Sequence, residues 1–118
     1  MNTTHYTLKA MRTLNDLGHR DNLAHASMLI GSEAGEVVTL IKRNFAYGKP
    51  LEVEKIKDEL GDLLWGIALL CHCTGLTLDE IMAANIAKLE ARYPNLTFEA
   101  DRAINPDKAK EAEAQAKA

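Results

Sequence analysis

A four-residue break with the sequence YGKP, at Tyr47–Pro50, separates two long segments in which apolar residues recur at helical spacing. Glycine and proline both interrupt helices, so the break is predicted to be a turn. The segment before it predicts a helix over about residues 23–45, and the segment after it predicts a helix over about residues 52–73. Two long helices joined by so short a turn pack as an antiparallel hairpin. This hairpin limits the folds open to the chain more than any other feature does.

Two further helices are predicted, one on either side of the hairpin. The first covers about residues 6–17, and Asp21 or Asn22 after it is expected to cap the next helix. The second starts at the capping box TLDE, Thr77–Glu80, and ends near Pro94. No segment shows the alternation of a strand. The fold class is therefore predicted to be all-α, an antiparallel helical bundle built around the central helix hairpin.

The chain has 118 residues, which fits one compact domain. We assign residues 1–104 to that all-α domain. Residues 105–118 are rich in Ala, Lys and Glu and contain no large apolar side chain. Because nothing in this segment would anchor it to a core, we expect a flexible polar tail without a catalytic role.

The formal net charge of −3 argues against a protein that binds nucleic acid or a membrane surface, because either would need a basic face. The longest apolar run, Leu63–Leu70, contains a glycine and is too short to span a bilayer. No signal peptide is visible at the N-terminus. Cys71 and Cys73 form no zinc motif and suit a reducing compartment. We therefore expect a cytoplasmic protein that binds neither nucleic acid nor membrane.

Two pairs of acidic residues interrupt the apolar pattern of the hairpin. Glu33 and Glu36 lie three residues apart in its first helix, and Glu59 and Asp62 lie three apart in its second. Three residues rotate a helix by about 300°, so the members of a pair share a face. Both pairs are equally distant from the middle of the turn, which places Glu33 level with Asp62 and Glu36 level with Glu59. Since neighbouring helix axes lie about 8–10 Å apart, four carboxylates are expected in one patch.

Each acid pair encloses a glycine, Gly35 in the first helix and Gly61 in the second. A glycine inside a helix costs up to about 1 kcal/mol relative to alanine. We therefore expect these glycines to mark a close approach of either the other helix or a ligand.

Four ionised carboxylates in one partly buried patch repel each other unless their pKa values rise or a cation binds. A cluster made only of carboxylate oxygens suits a hard cation, Mg²⁺ or alternatively Mn²⁺, whereas zinc would bring His or Cys. The competing interpretation is that each pair lies on a solvated helix edge and binds nothing.

A stripe of polar residues on the last predicted helix favours the interpretation that the acid patch binds a cation. Asn85, Lys88 and Arg92 lie on one side of this helix, beside its apolar face. Two cations and an amide in that arrangement can hold phosphate oxygens. An ordinary solvated face is the alternative. Together with the acid patch, the stripe indicates metal-assisted chemistry on a phosphate ester or anhydride.

The segments EAGE and ELGD resemble the ExxE and ExxD signature of the all-α nucleoside triphosphate pyrophosphohydrolases, and in particular the MazG-like branch. The resemblance extends through IKDELGDLLWGIALL and TGLTLDEIMAANIAKLEARYP and covers about residues 23–105. It implies a helical hydrolase that forms a homodimer or homotetramer. It further implies that a (deoxy)nucleoside triphosphate is cleaved between its α- and β-phosphates, which gives the nucleoside monophosphate and pyrophosphate.

The resemblance also assigns roles to residues. Magnesium would be held by four acids, Glu33, Glu36, Glu59 and Asp62. The nucleotide would be contacted by the stripe Asn85, Lys88 and Arg92. We take Glu33 as the acceptor of the water proton, although spacing does not distinguish it from Glu36. Two alternatives stay open: a related pyrophosphatase specific for dUTP or phosphoribosyl-ATP, and a non-catalytic nucleotide-binding oligomeric module.

Overall fold

The computed structural model describes residues 1–118, and its regular structure is entirely helical. This confirms the predicted all-α fold class. Six α-helices follow one another along the chain, with a short 3-10 turn at Pro94–Leu96 after the fourth. Their bounds are α1 Thr3–Met11, α2 His19–Tyr47, α3 Val53–Thr74, α4 Leu78–Arg92, α5 Ala100–Ile104 and α6 Lys108–Lys117.

Local signals set most of the helix ends. Gly48 and Gly75 adopt left-handed backbone angles, with φ values of 65° and 73°, directly after α2 and α3. Glycine takes this conformation without a steric penalty, so it ends a helix cleanly. At the start of α4, Thr77 and Glu80 form the predicted capping box, in which each side chain accepts a hydrogen bond from the other residue's backbone N–H.

The start of α2 differs from the prediction. The helix begins at His19, so neither Asp21 nor Asn22 is its cap. Asn22 is buried, and its side chain accepts a hydrogen bond from the Leu17 backbone N–H at 3.1 Å and donates one to Asp16 at 2.8 Å. Its side chain therefore fixes the loop that precedes α2. A capping residue and a loop-binding residue have the same sequence signature, because both use a short polar side chain near a helix start.

The helix hairpin forms as predicted, and α2 packs along α3. The two helices pack tightly at Gly66, where an added Cβ would lie 3.2 Å from side-chain carbons of both Leu29 and Ile30. Gly35 and Gly61 would meet no atom within 4 Å, so the expectation that they mark a close approach of the helices is wrong. Any ligand contact at these two glycines stays a prediction.

Helix α1 is attached to α3 through Trp65. The indole Nε1 donates hydrogen bonds to the Ala10 carbonyl oxygen at 3.2 Å and to Thr13 Oγ1 at 3.0 Å. Ala10 is buried at this contact. The end of α1 is thereby held against the middle of the hairpin.

The chain divides into two compact units, Met1–Gly75 and Leu76–Ala118. The first unit contains α1 and the hairpin, and the second contains α4, α5 and α6. The assignment of residues 1–104 to one domain, with a boundary to residues 105–118, stays a prediction.

Residues 108–117 differ from the expected unanchored tail. They form α6, which packs against α4 within the second unit. Glu111 of α6 is only 2% exposed. The anchor is thus a buried charged side chain, which the search for large apolar residues could not identify.

No single helix is both long and apolar enough to cross a membrane, and only α3 and α4 taken together meet that criterion by length and composition.

Candidate functional site

Three carboxylates meet on the hairpin. Glu33 of α2 and Glu59 and Asp62 of α3 each place a carboxylate oxygen within 4.8 Å of the others. Glu33 and Glu59 are partly buried, whereas Asp62 is exposed. Antiparallel packing brings the acids together because each helix presents them about equally far from the turn. The cluster is thus partly shielded from water and accessible to solvent at Asp62.

The charges in this cluster are close enough to disturb protonation. The pKa of the Glu59 carboxyl is raised, first by a hydrogen bond with Glu33, then by partial desolvation and by the negative charges of Glu33 and Asp58. The repulsion thus favours the binding of a positive charge, either a proton or a cation, at this cluster. A hard cation could replace that proton, because carboxylate oxygens are the ligands that Mg²⁺ and Mn²⁺ prefer. The donor set and its crowding fit such an ion.

Glu36 is the predicted site residue that does not join this group. Its side chain is exposed, while that of Glu33 is partly buried. A step of three residues leaves about 60° between two side chains around a helix, so Glu33 can face α3 while Glu36 turns outwards. Glu33, and not Glu36, is the α2 residue whose contact raises the pKa of Glu59, and the predicted level pairing of Glu36 with Glu59 stays a prediction.

Tyr6 is a neighbour of the cluster that the sequence analysis missed. Partial burial, and after it the charge of Asp62, raises the pKa of the Tyr6 phenol. The side chain belongs to α1, which Trp65 fixes against α3. No sequence signal marks Tyr6, because its position depends on how α1 docks.

The basic stripe lies on α4, in the second unit. Asn85 is exposed, and Lys88 and Arg92 are half-buried. Arg92 is already engaged: Nε and Nη2 donate to the two carboxylate oxygens of Glu111 at 2.6 and 3.1 Å. This contact lowers the pKa of the Glu111 carboxyl, and the charges of Lys108 and Lys88 act in the same direction. The sequence analysis found the stripe but missed its carboxylate partner.

Comparison with known proteins bears on both the carboxylate cluster of the hairpin and the basic stripe of α4. The profile of a family described as the MazG nucleotide pyrophosphohydrolase domain matches residues 22–97. That range includes all the predicted site residues and excludes Tyr6 and Glu111. The match supports nucleotide pyrophosphohydrolase activity in general, in a family that typically depends on a metal. No curated protein and no solved structure matches the chain.

Proposed function

Because this chain belongs to the MazG nucleotide pyrophosphohydrolase domain family, we propose that it hydrolyses (deoxy)nucleoside triphosphates to nucleoside monophosphates and pyrophosphate. The observation that carries this proposal is the cluster of Glu33, Glu59 and Asp62 on the hairpin, inside the matched residues. Clustered carboxylates of this kind suit a hard cation that accompanies a polyphosphate.

We propose Mg²⁺ as the cation, with Mn²⁺ as an alternative that the same oxygen ligands accept. Glu33, Glu59 and Asp62 would hold it, and Glu36 is a fourth proposed ligand that contributes less because it lies outside the group. When bound, the ion supplies positive charge that neutralises phosphate oxygens and makes a nearby water more acidic.

The residues of the chain would then handle the proton and the phosphates. In the proposed reaction a water oxygen forms a bond to the α-phosphorus. The bond from that phosphorus to the oxygen that bridges the α- and β-phosphates breaks, and pyrophosphate leaves with the bonding electrons. Glu33 is the proposed base and accepts the water proton on a carboxylate oxygen. The phosphate oxygens are proposed to be bound by Asn85, Lys88 and Arg92. The positive side chains of Lys88 and Arg92 would stabilise the negative charge that develops on these oxygens.

We also propose that the protein assembles into a homodimer or homotetramer. Large apolar side chains on the hairpin stay exposed within a single chain, among them Met28, Val38 and Phe45 with exposures of 71%, 65% and 88%. Apolar surface of this extent is typical of a protein contact. Light scattering after gel filtration would measure the mass, and a monomer at micromolar concentration would contradict this part of the proposal. A cytoplasmic location stays a prediction.

A substrate panel tests the proposed reaction. Each dNTP and NTP, together with phosphoribosyl-ATP, is incubated with the protein and Mg²⁺, and the products are separated. We expect a monophosphate and pyrophosphate in equal amounts. Orthophosphate as the sole inorganic product would contradict the proposal, and so would the absence of turnover. Turnover of dUTP or phosphoribosyl-ATP alone would favour the narrower enzyme, and binding without turnover would favour the non-catalytic module.

A further inference from the structure

Helix α6 lies outside the residues that match the family profile, and very little apolar surface holds it in place. Its sequence, KAKEAEAQAK, offers only alanines to pack against α4, and its only buried residue is Glu111. An isolated helix of ten residues is shorter than the roughly 12–15 residues that give even marginal stability in water. The attachment of α6 therefore depends on the partner of Glu111.

That partner is the guanidinium of Arg92. Two parallel hydrogen bonds, at 2.6 and 3.1 Å, join Arg92 to the carboxylate, and Lys108 Nζ lies 3.7 Å from Oε2. The Glu111 side chain is 3% exposed and the Arg92 side chain 19%. Such a two-pronged contact is also how arginine binds a phosphate. A guanidinium edge held by Glu111 cannot give the same two hydrogen bonds to a phosphate group.

We propose that α6 is an autoinhibitory latch, in which Glu111 occupies the arginine that a polyphosphate substrate must engage. This inference rests on the proposed function of Arg92 in phosphate binding. Substrate binding and the docking of α6 would then be competing events. When a polyphosphate takes Arg92, Glu111 loses its partner and α6 is released from α4.

The energetics favour a latch that can open. Removing a charged partner from a buried pair is costly, but here the phosphate replaces the carboxylate, so Arg92 never lacks a negative partner. Release of α6 uncovers mainly alanine and polar side chains. The apparent dissociation constant of the substrate equals the intrinsic constant divided by the open fraction. A chain that is mostly latched therefore binds its substrate more weakly than an open chain does.

Steady-state kinetics of Glu111→Gln test the latch. The amide keeps the size of the side chain but removes the charge that competes with phosphate. We expect a severalfold lower KM for the nucleotide that the wild type hydrolyses, with kcat little changed. Glu113→Gln is the matched control, because Glu113 lies on the same helix but is exposed and binds only Lys117. An unchanged or raised KM in Glu111→Gln, with a native circular dichroism spectrum, would overturn the latch.

Hydrogen exchange observes the release directly. The probe is inorganic tripolyphosphate with the full-length protein, and the signal is the exchange of the amides in residues 108–117. We expect faster exchange of these amides when tripolyphosphate is added to the wild type. Unchanged or slower exchange at saturating tripolyphosphate would contradict a competing latch, because α6 would then stay docked while the polyanion is bound.

The two proposals fail in different ways. If the wild type hydrolyses nucleotides but Glu111→Gln leaves the KM unchanged, the latch is wrong and the proposed function stands. If no nucleotide is hydrolysed, the proposed function is wrong, and calorimetry with tripolyphosphate still decides the latch. The latch would be supported if Glu111→Gln bound tripolyphosphate more tightly than both the wild type and Glu113→Gln. It would be overturned if all three proteins bound tripolyphosphate equally, or if none bound it.

Discussion

The carboxyl groups of Glu59 and Glu33 meet across the hairpin, and a hydrogen bond between them is the first cause of the raised pKa of Glu59. Two carboxyl groups can share such a bond only when one of them keeps its proton. The protonated Glu59 then donates to Glu33 and reduces the repulsion in the cluster. The proposed cation would use the same carboxylate oxygens, so metal and proton should compete there.

The first prediction concerns the pH dependence of stability without metal. The folded pKa of Glu59 lies above its ordinary value of 4.5, so between these two values the folded state binds more protons than the unfolded state. The contribution of Glu59 to the free energy of unfolding should therefore decrease as the pH rises through that interval. In EDTA, Glu59→Gln should show a weaker decrease than the wild type and a higher stability at neutral pH. Urea unfolding at several pH values measures this.

The control for this experiment is Glu54→Gln. Glu54 lies in the first turn of the same helix, and its exposed side chain binds Lys57. This variant should follow the pH dependence of the wild type. If all three proteins showed the same slope, the shared proton between Glu59 and Glu33 would not exist in solution.

The second prediction concerns stabilisation by metal. A ligand that binds only the folded state stabilises it by about 2.7 kcal/mol at a concentration of 100 times its dissociation constant. Mg²⁺ or Mn²⁺ should therefore raise the Tm of the wild type in a concentration-dependent way. Asp62→Asn should lose most of that increase, while Glu54→Gln keeps it. An equal increase in wild type and Asp62→Asn would exclude the carboxylate cluster as the metal site.

The third prediction ranks the four acids in catalysis. Loss of a metal ligand removes several kcal/mol of transition-state stabilisation, so Glu33→Gln and Asp62→Asn should each lower kcat/KM by about 100-fold or more. Glu36→Gln should have a smaller effect, because Glu36 lies outside the group of three. Pyrophosphate release at saturating Mg²⁺ measures these effects. A loss in Glu36→Gln as large as in Asp62→Asn would show that all four acids are needed, as the sequence pattern predicts.

The fourth prediction concerns the glycines of the hairpin. An added methyl group at Gly66 would lie 3.2 Å from side-chain carbons of Leu29 and Ile30, so Gly66→Ala should crowd this contact and give a less stable protein than Gly61→Ala. An added methyl group at Gly61, on the same helix, would meet no atom within 4 Å, so Gly61→Ala should stabilise the protein by up to about 1 kcal/mol. Chemical denaturation of the two variants gives this comparison. Greater stability of Gly66→Ala than of Gly61→Ala would contradict the packing at Gly66.

The end of α3 and the start of α4 were the helix ends that local sequence predicted best, whereas the first helix, predicted over about residues 6–17, spans Thr3–Met11. The capping box at Thr77 and Glu80 and the glycine after α3 act through bonds within a few residues, so their effect does not depend on the rest of the chain. The start of α2 was predicted less well, because Asn22 binds the preceding loop instead of capping the helix. Both arrangements use the same polar side chain, and only its orientation in the fold separates them.

The sequence by itself determined that the chain is helical, that its two longest helices form a hairpin and that acids on both helices lie near the same level. These properties follow from periodicity and from the short turn, which are encoded locally. Tertiary structure decided which acids meet, because a rotation of about 60° on the helix separates Glu36 from Glu33. It also decided that Arg92 binds Glu111. Their contact spans 19 residues and two intervening elements, so it exists only once α6 has docked on α4.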